Sequence, residues 1–135
     1  MQTLKTWLYL LTFSLLNAHE LDAMTQQEWR LLLILRDLPA ALARETFVML
    51  HVPLVALLLW LSFHRDAAVA AWSRRAVCGF GIIHVGLHWN LQDHPAYTFD
   101  STLSVSLILG YGVAGLLYLL LDGLDTRQHH AGRSR

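Results

Sequence analysis

Charge is scarce in this chain. Charged residues make up 15% of its 135 positions, against roughly 25% in soluble domains. Hydrophobic residues make up 55%, and they fall in blocks rather than being spread out. That pattern excludes an ordinary soluble core and indicates a membrane protein. An excess of one sign is also missing: the formal net charge is zero, and no basic cluster is interleaved with aromatics. Nucleic acid is therefore not an expected partner. Cysteine is nearly absent. Cys78 stands alone, which excludes an intrachain disulfide and a thiolate zinc cluster. In an apolar helix it acts as a small hydrophobe. There is no internal repeat and no low-complexity segment, and the length suits one domain.

What is present is histidine in apolar surroundings. His84 and His88 sit four residues apart inside the apolar run 81–90. On a helix, positions i and i+4 share a face, one turn apart. Two imidazole nitrogens so placed can grip one metal ion. His19, His51 and His94 also fall in or beside apolar segments.

The blocks divide the chain into an all-α, integral membrane four-helix bundle. The spans are about 4–23, 46–63, 76–91 and 102–121, in one transmembrane domain over 1–121, followed by a polar cytoplasmic tail over 122–135. The first span is short for the ~20 residues of a crossing unless His19, Leu21 and Ala23 extend it. A signal peptide cut after Ala18 would need a small residue at Leu16, so the span is read as uncut. In the first connection, the stretch 29–36 has a tryptophan and apolar residues bracketed by Arg30 and Arg36. It is expected as an additional interfacial helix, ended at Asp37-Leu38-Pro39, with Glu28-Trp29 anchoring at the interface. Pro53 is expected to kink the second span. The arginines of the 64–75 loop are read as topology signals and headgroup contacts. Thr102, Ser106, Gly110 and Ala114 form a small-residue stripe for helix contact. The tail, with His129 and His130, is expected to be disordered and solvated.

Basic residues set the orientation. Lys5, Arg65, Arg74, Arg75, Arg127, Arg133 and Arg135 fall on one side of a four-span bundle, and Arg30, Arg36 and Arg44 on the other. The positive-inside rule then places both termini in the cytoplasm of a multi-pass inner-membrane protein. Counting from the outer ends of the spans at 1.5 Å per residue, His51, His84 and His88 lie roughly 8, 10 and 5 Å deep. His19 ends the first span at the same face. The histidines played no part in the orientation, so their common level is an independent result.

Buried polar rings are costly in lipid, and intramembrane ionisable groups point to function. The candidate metal ligands are His19, Asp22, His51, His84 and His88. Glu20 is the candidate general base on metal-bound water. Glu20 and Asp22 are also candidates for a further ligand or for fixing an imidazole tautomer. Imidazole with carboxylate suits a divalent transition metal: Zn, Fe, Mn or Cu. His19-Glu20 is not the zinc-protease motif, since position 23 is Ala. His94, before Pro95, is read as a loop or cap residue.

The ordered set His19-Glu20-x-Asp22, Glu28-Trp29, His51-x-Pro53, His84-Val85-Gly86-Leu87-His88-Trp89 and His94-Pro95 resembles a domain-of-unknown-function family of small four-span bacterial membrane proteins. It is distantly similar to the HXXEE membrane proteins, with His19 and Asp22 at the name motif and without its paired glutamates. The resemblance implies a multi-pass bacterial membrane protein and carries no activity.

Two readings follow. One is a membrane-embedded metal site near the outer face, hydrolytic or redox. The other is a non-enzymatic accessory or interaction protein whose His, Asp and Glu residues form a structural polar network. The lipid bilayer is the expected partner in both, and association with a second copy or with another membrane protein stays open. Metal transport fits less well, because the fourth span offers only Ser104, Ser106 and Tyr111 as a polar path.

Overall fold

The structure is a computed structural model that describes residues 2–133, with side chains described for residues 2–126. His129 and His130 therefore lie outside the described side chains. Among the described residues the chain is all-α. Four helices follow in order: α1 (Gln2–Thr25), α2 (Ala40–Ser62), α3 (Ala67–Leu91) and α4 (Thr102–Arg133). Two of them, α2 and the stretch Thr102–Thr126 of α4, are long and apolar enough to cross a membrane.

α4 is the central element. It packs along α1 on one side and α3 on the other, while α2 leans mainly on α3. Close approach of α3 and α4 depends on glycine. A Cβ at Gly115 would lie 2.5 Å from the Cys78 carbonyl oxygen, and one at Gly112 2.6 Å from a Val85 methyl. The expected stripe is met in part: Ala114 is buried and Gly110 lies against Leu15. Thr102 and Ser106 are exposed, and the crowded positions are Gly112 and Gly115. The four-residue spacing identified small residues, but side-chain direction decides which of them meet a neighbour.

Two buried clusters fill the bundle. One gathers Tyr9, Leu16, Val77, Cys78, Tyr111 and Tyr118. The other gathers Ala23, Trp29, Leu35, Ala43, Phe47, Phe99 and Ile108. The second corrects the expectation for the first connection. No regular helix lies there. Thr25 ends α1, Gln27 takes a left-handed φ of 57°, and Glu28–Arg30 makes one 3₁₀ turn. A left-handed non-glycine residue is uncommon and reverses the chain. As a result Trp29, 6% exposed, enters the core rather than an interface, with Leu35 beside it, while Leu33 and Ile34 face outward.

The third helix begins at Ala67 rather than at Ala76, because Asp66 caps it. Its side chain accepts hydrogen bonds from the Ala68 and Val69 amides at 2.8 and 3.3 Å, satisfying donors that a helix start leaves free. Arg74 and Arg75 thus sit on the helix and have partners within the bundle. Arg74 donates to the Ser62 carbonyl and covers the Tyr9 and Phe63 rings. Arg75 pairs with Asp122 at 2.7 Å, and Lys5 pairs with Asp122 and Asp125 at 3.0 and 2.6 Å. These ion pairs hold the start of the tail to α1 and α3 as helix, where disorder was expected. α2 continues through Pro53, leaving the Met49 carbonyl without the amide that a non-proline residue would offer.

Candidate metal centre

The site starts from the spacing of His84 and His88. Helical winding puts both on the face of α3 turned toward α1, where His19 meets them. The three rings are 0%, 6% and 5% exposed for His19, His84 and His88. Nε2 of His84 is 2.8 Å from Nε2 of His19 and 3.1 Å from Nε2 of His88. All three rings direct the same nitrogen at one point, and one ligand atom from each lies within 4.8 Å of the others.

Hydrogen bonding alone serves this cluster badly. A ring nitrogen has one in-plane position, holding either a proton or a lone pair. His84 Nε2 faces two neighbours with that single position, so a neutral cluster leaves one contact poorly matched. A cation accepts all three lone pairs. In tetrahedral coordination, Zn–N distances of ~2.0–2.1 Å put ligand nitrogens roughly 3.3 Å apart. The two observed separations are a few tenths of an ångström shorter, within reach of small ring rotations.

The surroundings add carboxylates and aromatic walls. The Gln27 reversal returns Glu28 to α1, where its Oε2 lies 3.6 Å from His19 Nε2, the spacing of two ligands on one ion. The Phe99 ring lies 5.5 Å from that of His19 and 4.7 Å from that of His88. Tyr97 Oη is 3.1 Å from His88 Nδ1. If Nε2 presents its lone pair, Nδ1 carries the proton and donates to Tyr97, which fixes the tautomer.

Four buried polar atoms lack a hydrogen-bond partner among the described residues: His19 Nδ1, Asp22 Oδ2, Glu28 Oε2 and Trp29 Nε1. His19 and Glu28 belong to this site; Asp22 is close enough to Glu28 to act on its charge, and Trp29 follows Glu28 in the chain. Buried polar groups are nearly always satisfied, and a cluster of exceptions suggests a water or ion. Burial, with the nearby Glu20 and Asp22 carboxylates adding to it, pushes the Glu28 carboxyl up to about 8.

The other expected site residues lie around the triad. Asp22 Oδ1 accepts from Gln26 Nε2 at 3.4 Å. His51 is turned to different partners: Nδ1 is 2.7 Å from the Phe47 carbonyl and Nε2 is 2.8 Å from Glu20 Oε2. Since a carbonyl only accepts, Nδ1 carries a proton, and Nε2 shares a second one with Glu20. His94 caps its own loop, its Nδ1 accepting from the Ala96 amide. Sequence reasoning missed Glu28 and Tyr97 as site neighbours. The only available signal for Glu28 was the acid run Glu20, Asp22, Glu28; for Tyr97 there was none.

Residues 5–124 match the model of a family of unknown function, DUF6713. The chain belongs to the DUF6713 family. No match was found among curated proteins or among solved structures. The DUF6713 match spans every residue of the centre, from His19 to Phe99.

Proposed function

We propose that this DUF6713 chain is a multi-pass membrane protein that binds one divalent transition metal through His19, His84 and His88, with Glu28 beside it. The observation that carries the reading is the convergence of three buried Nε2 atoms from two helices, with an unsatisfied carboxylate oxygen next to them. Three histidines with one position left for water form a catalytic arrangement; a coordinated carboxylate closes the site and makes it structural. Glu28 at 3.6 Å from His19 Nε2 is close enough to serve as the ligand or as the base acting on bound water. The ligand set suits Zn, Fe, Mn or Cu.

The bilayer enters the proposal through the surface. Leu50, Val52, Leu57 and Trp60 of α2 and Leu109, Val113, Leu116 and Leu120 of α4 are all exposed. Apolar area on that scale is costly in water and free in lipid. In this reading the four apolar blocks are four crossings of the inner membrane, and the distribution of basic residues supports cytoplasmic termini with the metal near the outer face.

The second reading, a non-enzymatic accessory protein with a structural polar network, is favoured at one place. The Glu20–His51–Phe47 chain is complete in hydrogen bonds without a metal. Metal analysis of detergent-purified protein separates the two. One metal per chain, lost in His84→Ala/His88→Ala, supports the centre. Well-folded wild type that takes up none of the four metals leaves the network reading. Retention in membranes after alkaline extraction, with reporter fusions at both termini, tests the topology.

A further inference from the structure

α2 leans on α3 and stands off from α1. The space left among the three helices is a cavity of about 410 Å³, within the roughly 300–1,000 Å³ of small-molecule sites. Phe13, Leu16, Leu54, Leu58, Val77 and Phe80 line it. Along α2 it runs from His51 to Leu61, roughly 15 Å at 1.5 Å per residue. Leu54 and Phe80 are 46% and 43% exposed, so the cavity is a cleft that opens sideways.

The lining is divided by chemistry. Glu20 and His51 stand at one end with Asn17 a turn away, apolar side chains make up most of the rest, and the Ser73 hydroxyl donates to the Val69 carbonyl. The Glu20 and His51 side chains line the cleft and are 23% and 24% exposed. No lysine or arginine lines the cleft. A phosphate or carboxylate head would meet the Glu20 carboxyl with no cation to balance it. A neutral head that donates and accepts hydrogen bonds fits. Protein interiors leave few voids larger than a water molecule, and an unfilled apolar cavity lowers stability. A long, narrow, apolar space with one polar end matches an alkyl chain.

We infer that this cleft binds one single-chain amphiphile with a neutral hydroxyl or amide head. The tail lies along Leu54, Leu58 and Phe80, and the head bonds to the Glu20 carboxyl, which His51 holds in place at 2.8 Å. The inference rests on the membrane reading for the source of the ligand, and it does not depend on the metal. His19, His84 and His88 do not line the cleft. Phe80 and Tyr111, which do, stand between it and the triad, with ring centroids 5.4 and 6.0 Å from that of His84.

The test is a fluorescence titration of the full chain in maltoside micelles with a pyrene-tailed long-chain alcohol, beside the matching hydrocarbon. Saturable binding of one alcohol per chain is expected. Val55→Trp and Ala76→Phe block the cleft from opposite walls and should each lower affinity about tenfold or more, the equivalent of about two methylenes kept out. Leu57→Trp, on the same helix but outside the cleft and 50% exposed, should leave affinity unchanged. Glu20→Leu, which removes the head's partner, and His51→Phe, which releases Glu20 from its hydrogen bond, should each weaken the alcohol and spare the hydrocarbon. Circular dichroism melting confirms that each variant is folded, and the two blocking variants stand in for one another. Non-saturable uptake, or equal losses in Leu57→Trp and Val55→Trp, overturns the cleft. Saturable, blockable binding by a chain recovered outside membranes supports the cleft and removes the bilayer reading instead.

Discussion

Oε2 of Glu28 lies 3.6 Å from Nε2 of His19, although the chain reverses direction between the two residues. That contact joins the first connection to the imidazole cluster. It brings a carboxyl oxygen within reach of the His19 nitrogen. If the two atoms share an ion, Glu28→Gln lowers metal affinity about 10–100-fold, while His84→Ala removes binding. Competition with a chromogenic chelator measures both. A Glu28→Gln protein that binds as tightly as wild type removes Glu28 from the metal's surroundings.

The same carboxyl predicts a pH dependence of the metal-free protein. Its value in the fold, about 8, lies above its ordinary 4.5, so the fold favours the neutral form. Its contribution to stability is full below about 4.5 and is lost as pH rises through about 8. The melting temperature of metal-free wild type, measured relative to Glu28→Gln, should fall across that window. Metal affinity should run the other way and rise with pH, since ligands bind deprotonated. A difference between wild type and Glu28→Gln that stays constant across the window contradicts the assignment.

His51 gives a negative control with content. Both of its ring nitrogens already face oxygens, at 2.7 and 2.8 Å. His51→Ala should therefore keep one metal per chain by mass spectrometry of the metal, while losing preference for the alcohol in the cleft. Loss of the metal would bring His51 into the coordination sphere.

Gly115 and Gly123 make a matched pair on α4. A Cβ at Gly115 meets the Cys78 carbonyl oxygen at 2.5 Å, and one at Gly123 meets nothing within 4 Å. Gly115→Ala should cost about 1–3 kcal/mol as the helices are forced apart. Gly123→Ala should gain roughly 0.5–1 kcal/mol by helix propensity. Thermal melting in detergent reads both, and equal effects would mean that the α3–α4 contact is not tight at Gly115.

Legibility differed along the chain for physical reasons. Helical winding alone puts His84 and His88 on one face. Depth counting brought His19 to the same level, because a helix has a fixed rise per residue. The same counting put His51 at that level too. It reports height along a bundle but not rotation about a helix axis, and rotation turns His51 to Glu20. Trp29 was misread because tryptophan near arginines suits an interface, whereas one left-handed residue at Gln27 was enough to turn it inward. The pairing of Arg75 with Asp122 was not legible, because the two lie 47 residues apart.

Local periodicity and the scarcity of charge were enough to determine a helical chain with apolar faces and a paired imidazole motif, since both depend on neighbours a turn apart. Which carboxylate stands beside that pair, which histidine leaves it, and where a cleft opens were decided only when the helices packed. Those outcomes depend on rotations and reversals that bring together residues far apart in sequence, and no spacing rule encodes them.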